Sequence, residues 1–344
     1  MNSLKTTLLS RALTFFSACG FLWFTGATMP IDAKIVFTVD DAIYVMNDDG
    51  SDRRRLTQSL QNMDSQPRWS PDGKKIAFTR FMDKTRIETT AEVFVMNADG
   101  TDLQRLTDNN VYDLCDSWLP DSERLAFSSS RSGAWEVYVI DVATLTVEQL
   151  TNGGRDAGFG SADWSPDGTQ ITLERLIRIP TGISPKTIYV MDADGTNERP
   201  LLPDPPLDGP LIWRRFPRWS ADGQQILFSE YKWLKDGDVE HIIVQRIDGE
   251  KQVITEINDR LGNNWMSTNS CWMDNDRSML VAIKAKDKLT PNYDIYRYTF
   301  ETRRLRRLPS ELSDEKWPDW TEGALSVSPH GKLSTLWGEI KHPE

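Results

Sequence analysis

The tetrapeptide Ser70-Pro71-Asp72-Gly73 follows Trp69, and it recurs intact behind Trp164 as Ser165-Pro166-Asp167-Gly168. Eroded copies stand at Trp118-Leu119-Pro120-Asp121, Trp219-Ser220-Ala221-Asp222-Gly223, Trp272-Met273-Asp274 and Trp320-Thr321-Glu322-Gly323. Successive Trp residues are 49, 46, 55, 53 and 48 positions apart. A period of that size identifies a repeat architecture and excludes most other folds.

A second motif interleaves with the first. Apolar strands run into acidic turns at Ile43 to Gly50 (IYVMNDDG), Val93 to Gly100 (VFVMNADG) and Ile188 to Gly195 (IYVMDADG). Weaker copies start at Val137, His241 and Ile295, which gives one per Trp block. Most are followed by a short polar strand ending in Leu-Thr, as at Leu106-Thr107 and Leu150-Thr151.

One complete unit therefore reads as four strands, Gln66–Ser70, Lys75–Arg80, Glu92–Asn97 and Asp102–Thr107. Its Pro-Asp-Gly turn uses proline to pre-set φ and glycine to take positive φ. The Ala-Asp-Gly connection is a hairpin turn. Four short antiparallel strands per repeat of this length describe a propeller blade. The expectation is an all-β, six-bladed β-propeller of four-stranded antiparallel blades.

Ring closure by strands from both termini is expected as well. The chain enters on Lys34–Val39, which aligns with a second strand, and the Trp320 block is the unused first strand. Val327-Ser328-Pro329-His330-Gly331-Lys332 imitates the same block, but Pro318 to Gly323 matches Pro67 to Gly73 with one deletion. Closure removes two open sheet edges.

Residues 1–33 differ from the rest. Lys5 and Arg11 precede the apolar run Ala12 to Thr28, which reads as a secretory signal peptide cleaved near Ala33. The alternative is an uncleaved anchor, for which the run is short and broken by Ser17, Gly20 and Gly26. Cys19 follows Phe16-Ser17-Ala18, only a faint lipoprotein attachment box, because the apolar run continues past it. The expected organisation is a signal peptide at 1–33, a propeller at 34–328 and a tail at 329–344, in a periplasmic or secreted protein.

The formal net charge is −11, and removing residues 1–33 takes away two positive charges and one negative, leaving −12. Such a balance disfavours nucleic acid and anionic membrane surfaces as partners. Cys115 and Cys271 belong to opposite blades of the expected ring, too far apart for a disulfide, so two free buried thiols are expected.

Each chemical motif has a plainer structural reading. The Trp residues fill the space between neighbouring sheets. The Asn47–Asp52 segment and its equivalents at Asn97–Asp102 and Asp192–Asn197 lack the further carboxylates and distal Glu of a calcium loop. The arginine clusters Arg53–Arg55 and Arg303–Arg307 protect outer edge strands. The three histidines, His241, His330 and His342, are misplaced for a metal site, and no Gly-x-Ser-x-Gly elbow occurs. No catalytic residue, metal or cofactor is expected.

Blade topology puts the Pro-Asp-Gly and Ala-Asp-Gly turns on one face and the long, variable segments on the other. Those segments include Phe81–Ala91, Leu176–Thr187, Pro203–Trp213, Lys232–Asp238 and Ala285–Asn292. Loops on a rigid scaffold are where recognition sits. The candidate residues on that face are Trp213, Arg214, Arg215, Phe216, Trp233 and Trp265, with types enriched at binding hot spots. Asp64, Asp113, Asp116, Asp163, Asn269, Asp314 and Glu315 precede the Trp blocks and are expected, with Arg214 and Arg215, to line the channel mouth.

Trp69 to Phe78 (WSPDGKKIAF) alternating with Ile188 to Gly195 (IYVMDADG) resembles the TolB-type, WD-repeat-like six-bladed propeller family over Lys34 to Val327. The resemblance implies a non-enzymatic binding platform of exported bacterial proteins; TolB itself binds a peptidoglycan-associated lipoprotein in its channel mouth. The expected partner is a protein or peptide of the cell envelope, bound by a monomer. The alternative is a carbohydrate-active protein, lectin-like or a lyase, that stacks a glycan on Trp213, Trp233 and Trp265.

Overall fold

The computed structural model describes residues 34–322, apart from 59–60, 84–89, 155–156, 180–182, 287–291 and 311–313. The expected signal peptide, Cys19, Val327 and the tail lie outside the described residues.

Strands dominate, and they hydrogen-bond in antiparallel groups of four. β1 (Ile35–Val39), β2 (Ala42–Met46) and β3 (Arg54–Arg55) form the first ladder. The Trp69 sheet runs β4 (Met63–Trp69), β5 (Lys75–Phe81), β6 (Ala91–Asn97) and β7 (Gln104–Arg105). The Trp118 sheet contains β8 (Asp113–Trp118), β9 (Arg124–Ser129), β10 (Glu136–Asp141) and β11 (Val147–Gln149). The Trp164 sheet has β12 (Ala157–Trp164), β13 (Gln170–Ile177), β14 (Lys186–Asp192) and β15 (Arg199–Pro200). In the Trp219 sheet these are β16 (Ile212–Trp219), β17 (Gln225–Lys232), β18 (Val239–Arg246) and β19 (Lys251–Ile254). The short helix α1 (Glu256–Leu261) leads to the Trp272 sheet of β20 (Trp265–Met273), β21 (Ser278–Ala285), β22 (Asp294–Thr299) and β23 (Arg304–Arg307). Finally β24 (Lys316–Trp320) pairs antiparallel with β1, with Ile35 opposite Trp320. A single parallel pairing of Lys186 with Trp213 links the Trp164 and Trp219 sheets edge to edge.

The turn chemistry is local. In the Pro-Asp-Gly turn, Asp72 Oδ1 accepts the Ser70 hydroxyl at 2.7 Å and the Lys74 amide at 3.1 Å. Asp167 repeats this with Ser165 and Thr169. In the hairpin turn of the third strand, Gly195 has φ +83, and a Cβ there would meet the Leu150 carbonyl oxygen of the previous sheet at 2.7 Å. Glycine is demanded twice at that position, by conformation and by close approach.

The Leu-Thr endings have a physical cause too. Thr57, Thr107 and Thr151 accept the amides of Ile43, Val93 and Val137 through Oγ1 at 2.9–3.0 Å. Thr107 and Thr151 then donate to the buried carboxylates of Glu92 and Glu136 at 2.6 Å. The threonine thus ties the outer strand to the start of the third.

The repeat tryptophans are wedges between sheets. Trp69 packs on Val36, Ile43 and Val45, and Trp164 on Leu119 and Val137. Trp219 meets Ile188 and Val190, and Trp272 meets Leu227 and Val244. Burying one indole of about 200 Å² contributes about 5 kcal/mol before chain entropy is counted.

The innermost strand differs from its expected span. It starts at Met63, not Gln66, because a β-bulge between Ser65 and Arg68 lets the ladder run on. Equivalent register shifts recur at Cys115/Ser117, Gly160/Asp163, Arg215/Arg218 and Ser267/Ser270. Gln66, Ser161, Phe216 and Trp317, each three residues before a repeat Trp, take φ of 53–56°. Bulges bend and twist a strand and re-aim its side chains.

Candidate functional site

Two regions stand out, one on each side of the sheets. The first is on the long-loop face. There Trp213, at the start of β16, and Trp233, after β17, meet edge to face at 4.6 Å between centroids. Tyr231 joins them, its ring 4.3 Å from that of Trp233. The Arg215 guanidinium sits over Trp213, Phe216 and Tyr231 at 5.3–5.9 Å. Lys286 lies 4.5 Å from the Tyr231 centroid and donates to its hydroxyl at 2.8 Å. Cations over partly desolvated rings hold such a cluster in one arrangement.

The loops around this cluster expose aliphatic residues. Ile183, Leu207 and Leu234 are 61%, 67% and 44% exposed. The loops bearing them are pinned here: the Trp213 indole Nε1 donates to the Ser184 carbonyl, and the Trp233 backbone amide to the Leu211 carbonyl, both at 3.0 Å. A second aromatic run, Phe81, Tyr112 and Trp135, lies on the same face with centroid spacings of 6.5 and 6.3 Å. Sequence reasoning missed this trio. Its signal was positional, an aromatic residue in the loop-side segments of consecutive repeats.

The other expected residues are placed differently. Trp265 is 0% exposed, in the core with Ile257 and Ile283, so it offers no stacking surface. Asp64, Asp113 and Glu315 are also 0% exposed, which differs from the expected open mouth. Asp64 receives Arg80 Nε and Nη2 at 2.6 and 2.9 Å. Arg131 donates to Asp113 at 2.7 Å, and Arg53 lies 3.0 Å from Glu315. Carboxylates at the start of inner strands are covered by the next strand, and burial requires a partner for each.

Arg214 likewise pairs with Glu230 at 2.9 Å, and Arg215 with Glu240 at 3.2 Å. Burial opposes ionisation of Glu230, but Arg214, Lys251 and Lys232 outweigh it and hold its pKa down to about 2. Asn269 donates to the Pro318 carbonyl, while Asp314 accepts the Tyr293 amide and pairs with Lys316.

The second region is on the short-turn side, where a cavity of about 380 Å³ opens among the Pro-Asp-Gly turns. All six repeat tryptophans line it, together with the residue preceding each: Arg68, Ser117, Asp163, Arg218, Cys271 and Asp319. Only Asp163 was among the expected site residues. The others were legible in principle as one fixed position per repeat. Asp116 lies beneath the ring, its carboxylate accepting the Ser128 hydroxyl at 2.6 Å. Burial pushes its pKa up to about 7 against the hydrogen bond and the nearby arginines. Cys115 and Cys271 are buried and unbridged, and burial raises both thiols, Cys115 to about 12.

Among the described residues no group of three or more His, Cys, Asp or Glu is arranged to hold a metal ion. Nor is any described helix long and apolar enough to cross a membrane.

Residues 43–178 match the family described as the TolB beta propeller domain, PD40. Over those residues the chain has the sequence of a TolB-type β-propeller. Over 214 residues it is 27% identical to the uncharacterized protein Atu1656 of Agrobacterium fabrum, which covers 60% of this chain and 67% of that protein. The chain superposes on TolB from Acinetobacter baumannii with a TM-score of 0.64 at 20% identity, covering 86% of this chain and 68% of that one. It is also similar in fold to Kuenenia stuttgartiensis hydrazine synthase, with a TM-score of 0.60 at 16% identity over 83% of this chain and 46% of that one. A fold shared by such different proteins leaves function to the site.

Proposed function

We propose that the chain is an exported, non-enzymatic, six-bladed propeller that binds a protein or peptide of the cell envelope on its long-loop face. In this reading β24 supplies the inner strand of the blade that β1 to β3 begin, closing the ring. The observation that carries the proposal is the cluster of Trp213, Tyr231, Trp233, Arg215 and Phe216 beside exposed Ile183, Leu207 and Leu234. Rigid aromatic anchors, an arginine and surrounding apolar loops are the composition of a protein-binding hot spot.

The test is capture from the envelope fraction with immobilised protein. Trp213→Ala and Trp233→Ala are expected to lose a partner that the parent retains, while Tm changes little. Retention of every partner by both variants removes the support for this face. The same indole pair also favours a second reading, a glycan stacked on Trp213 and Trp233. A glycan array with and without Ca²⁺ or Mn²⁺ separates the two, since a protein-binding face retains no glycan.

A further inference from the structure

The short-turn cavity contains two arginines that are nearly removed from solvent, Arg68 at 5% exposure and Arg218 at 8%. They come from different sheets and converge on one acceptor. Arg68 Nε donates to the Asp116 carbonyl oxygen at 2.9 Å, and Arg218 Nη1 and Nη2 each lie 3.5 Å from the same oxygen. A neutral carbonyl is a weak acceptor for two cations, compared with an anion.

The carboxylates around the cavity are already engaged. Asp163 takes Arg218 Nη1 at 3.0 Å on one oxygen and the Trp219 amide at 2.7 Å on the other. Asp319 accepts the Trp69 amide at 2.8 Å. At the rim, Asp276 accepts the amides of Ala221 and Asp222, and Glu322 lies 3.8 Å from Lys34. On the donor side, Arg218 Nε is buried without a partner, and Arg68 donates to the carbonyls of Asp116 and Pro67. What remains in the cavity is the donor capacity of the two guanidiniums, with Asp163 paired to Arg218 and the charge of Asp319 acting on both. Burial, and then the charge of Arg218, hold the Arg68 pKa below its usual value. For Arg218 burial is outweighed by Asp163 and Asp319, which hold its pKa up, so Arg68 is the guanidinium that an entering negative charge relieves.

We propose that this cavity binds a carboxylate carried on a small apolar body, the guanidiniums of Arg68 and Arg218 taking the carboxylate and the indole and proline walls taking the body. The volume of about 380 Å³ suits one amino-acid-sized group. Two sources share that chemistry, a free small acid and the C-terminal residue of a peptide. The site lies on the opposite side of the sheets from the long-loop face and stands independently of the function proposed for it.

Calorimetric titration of the full chain with N-acetyl-leucine and its C-terminal amide tests the proposal without any variant. The acid is expected to bind at least about tenfold more tightly than the amide, since only the acid is ionised. A heptapeptide ending in leucine, with free and amidated C-termini, forms the second arm. Peptide acid binding more tightly than the free acid assigns the site to chain ends, and equal affinities assign it to small acids. Arg68→Gln and Arg218→Gln are each expected to weaken acid binding by about tenfold or more. Trp213→Ala and Trp233→Ala are expected to leave it unchanged. Equal affinity for acid and amide, no binding at millimolar concentration, or full affinity in both glutamine variants overturns the proposal.

Discussion

Phe216 and Trp317 meet edge to face, with centroids 5.2 Å apart and planes at 90°. They come from different sheets, and each occupies the bulge position three residues before its repeat Trp. Both have positive φ, 56° and 55°, where bulky side chains are rarely found. The contact therefore holds two unfavourable backbone conformations in place.

A substitution at Phe216 separates the two effects. Phe216→Asn loses an aromatic pair of about 0.5–1.5 kcal/mol but relieves backbone strain of about 1–2 kcal/mol. The expected change in unfolding free energy is below about 1 kcal/mol by urea denaturation. A loss above about 3 kcal/mol contradicts the strain account and makes the ring a core residue.

Asp116 gives a pH signature whose sign is fixed by its direction of shift. Its pKa rises from 3.8 unfolded to about 7 folded, so between these values the folded chain binds more protons. Stability from this group is fully present below pH 4 and is lost as pH rises through about 7. Comparing parent and Asp116→Asn by denaturation at several pH values, the parent's advantage should shrink from pH 4 to 7 by an amount on the order of 3 kcal/mol. A difference independent of pH counts against a protonated Asp116.

Trp265 discriminates core from platform. Its complete burial predicts that Trp265→Ala costs about 3–5 kcal/mol. Affinity for any glycan or peptide, measured on the folded fraction, should be unchanged. Loss of binding at unchanged Tm would falsify the core assignment.

The Asp64–Arg80 pair predicts strong non-additivity. Asp64→Ala strands a buried guanidinium and is expected to cost about 3–5 kcal/mol, whereas Asp64→Leu with Arg80→Met should recover most of that loss. A double-mutant cycle reads the coupling, and simple additivity argues that the pair is solvated.

Much of the fold was legible because its signals are local. The turns at Asp72 and Asp167 and the positive φ of Gly195 depend on residues within a few positions, and the tryptophans mark the same repeat often enough to align it. The candidate site was legible only in part. Trp213 and Trp233 meet at the loop-side ends of β16 and β17, whereas Phe216 stands mid-strand at the bulge and packs on Trp317. Asp64, Asp113 and Glu315 were read as mouth residues, yet each meets a basic partner on another strand or sheet. That pairing depends on register across strands, which spacing along one strand does not encode.

The sequence by itself determined the repeat, its turns and the face that carries the long loops, because strand period and turn chemistry act over neighbouring residues. Tertiary structure alone decided that Trp265 is core, that Phe216 meets Trp317, and that Arg68 and Arg218 converge on one carbonyl. Those relationships join residues from different sheets. The bulges that re-aim the inner strands, and the packing that brings those strands together, exist only once the sheets assemble.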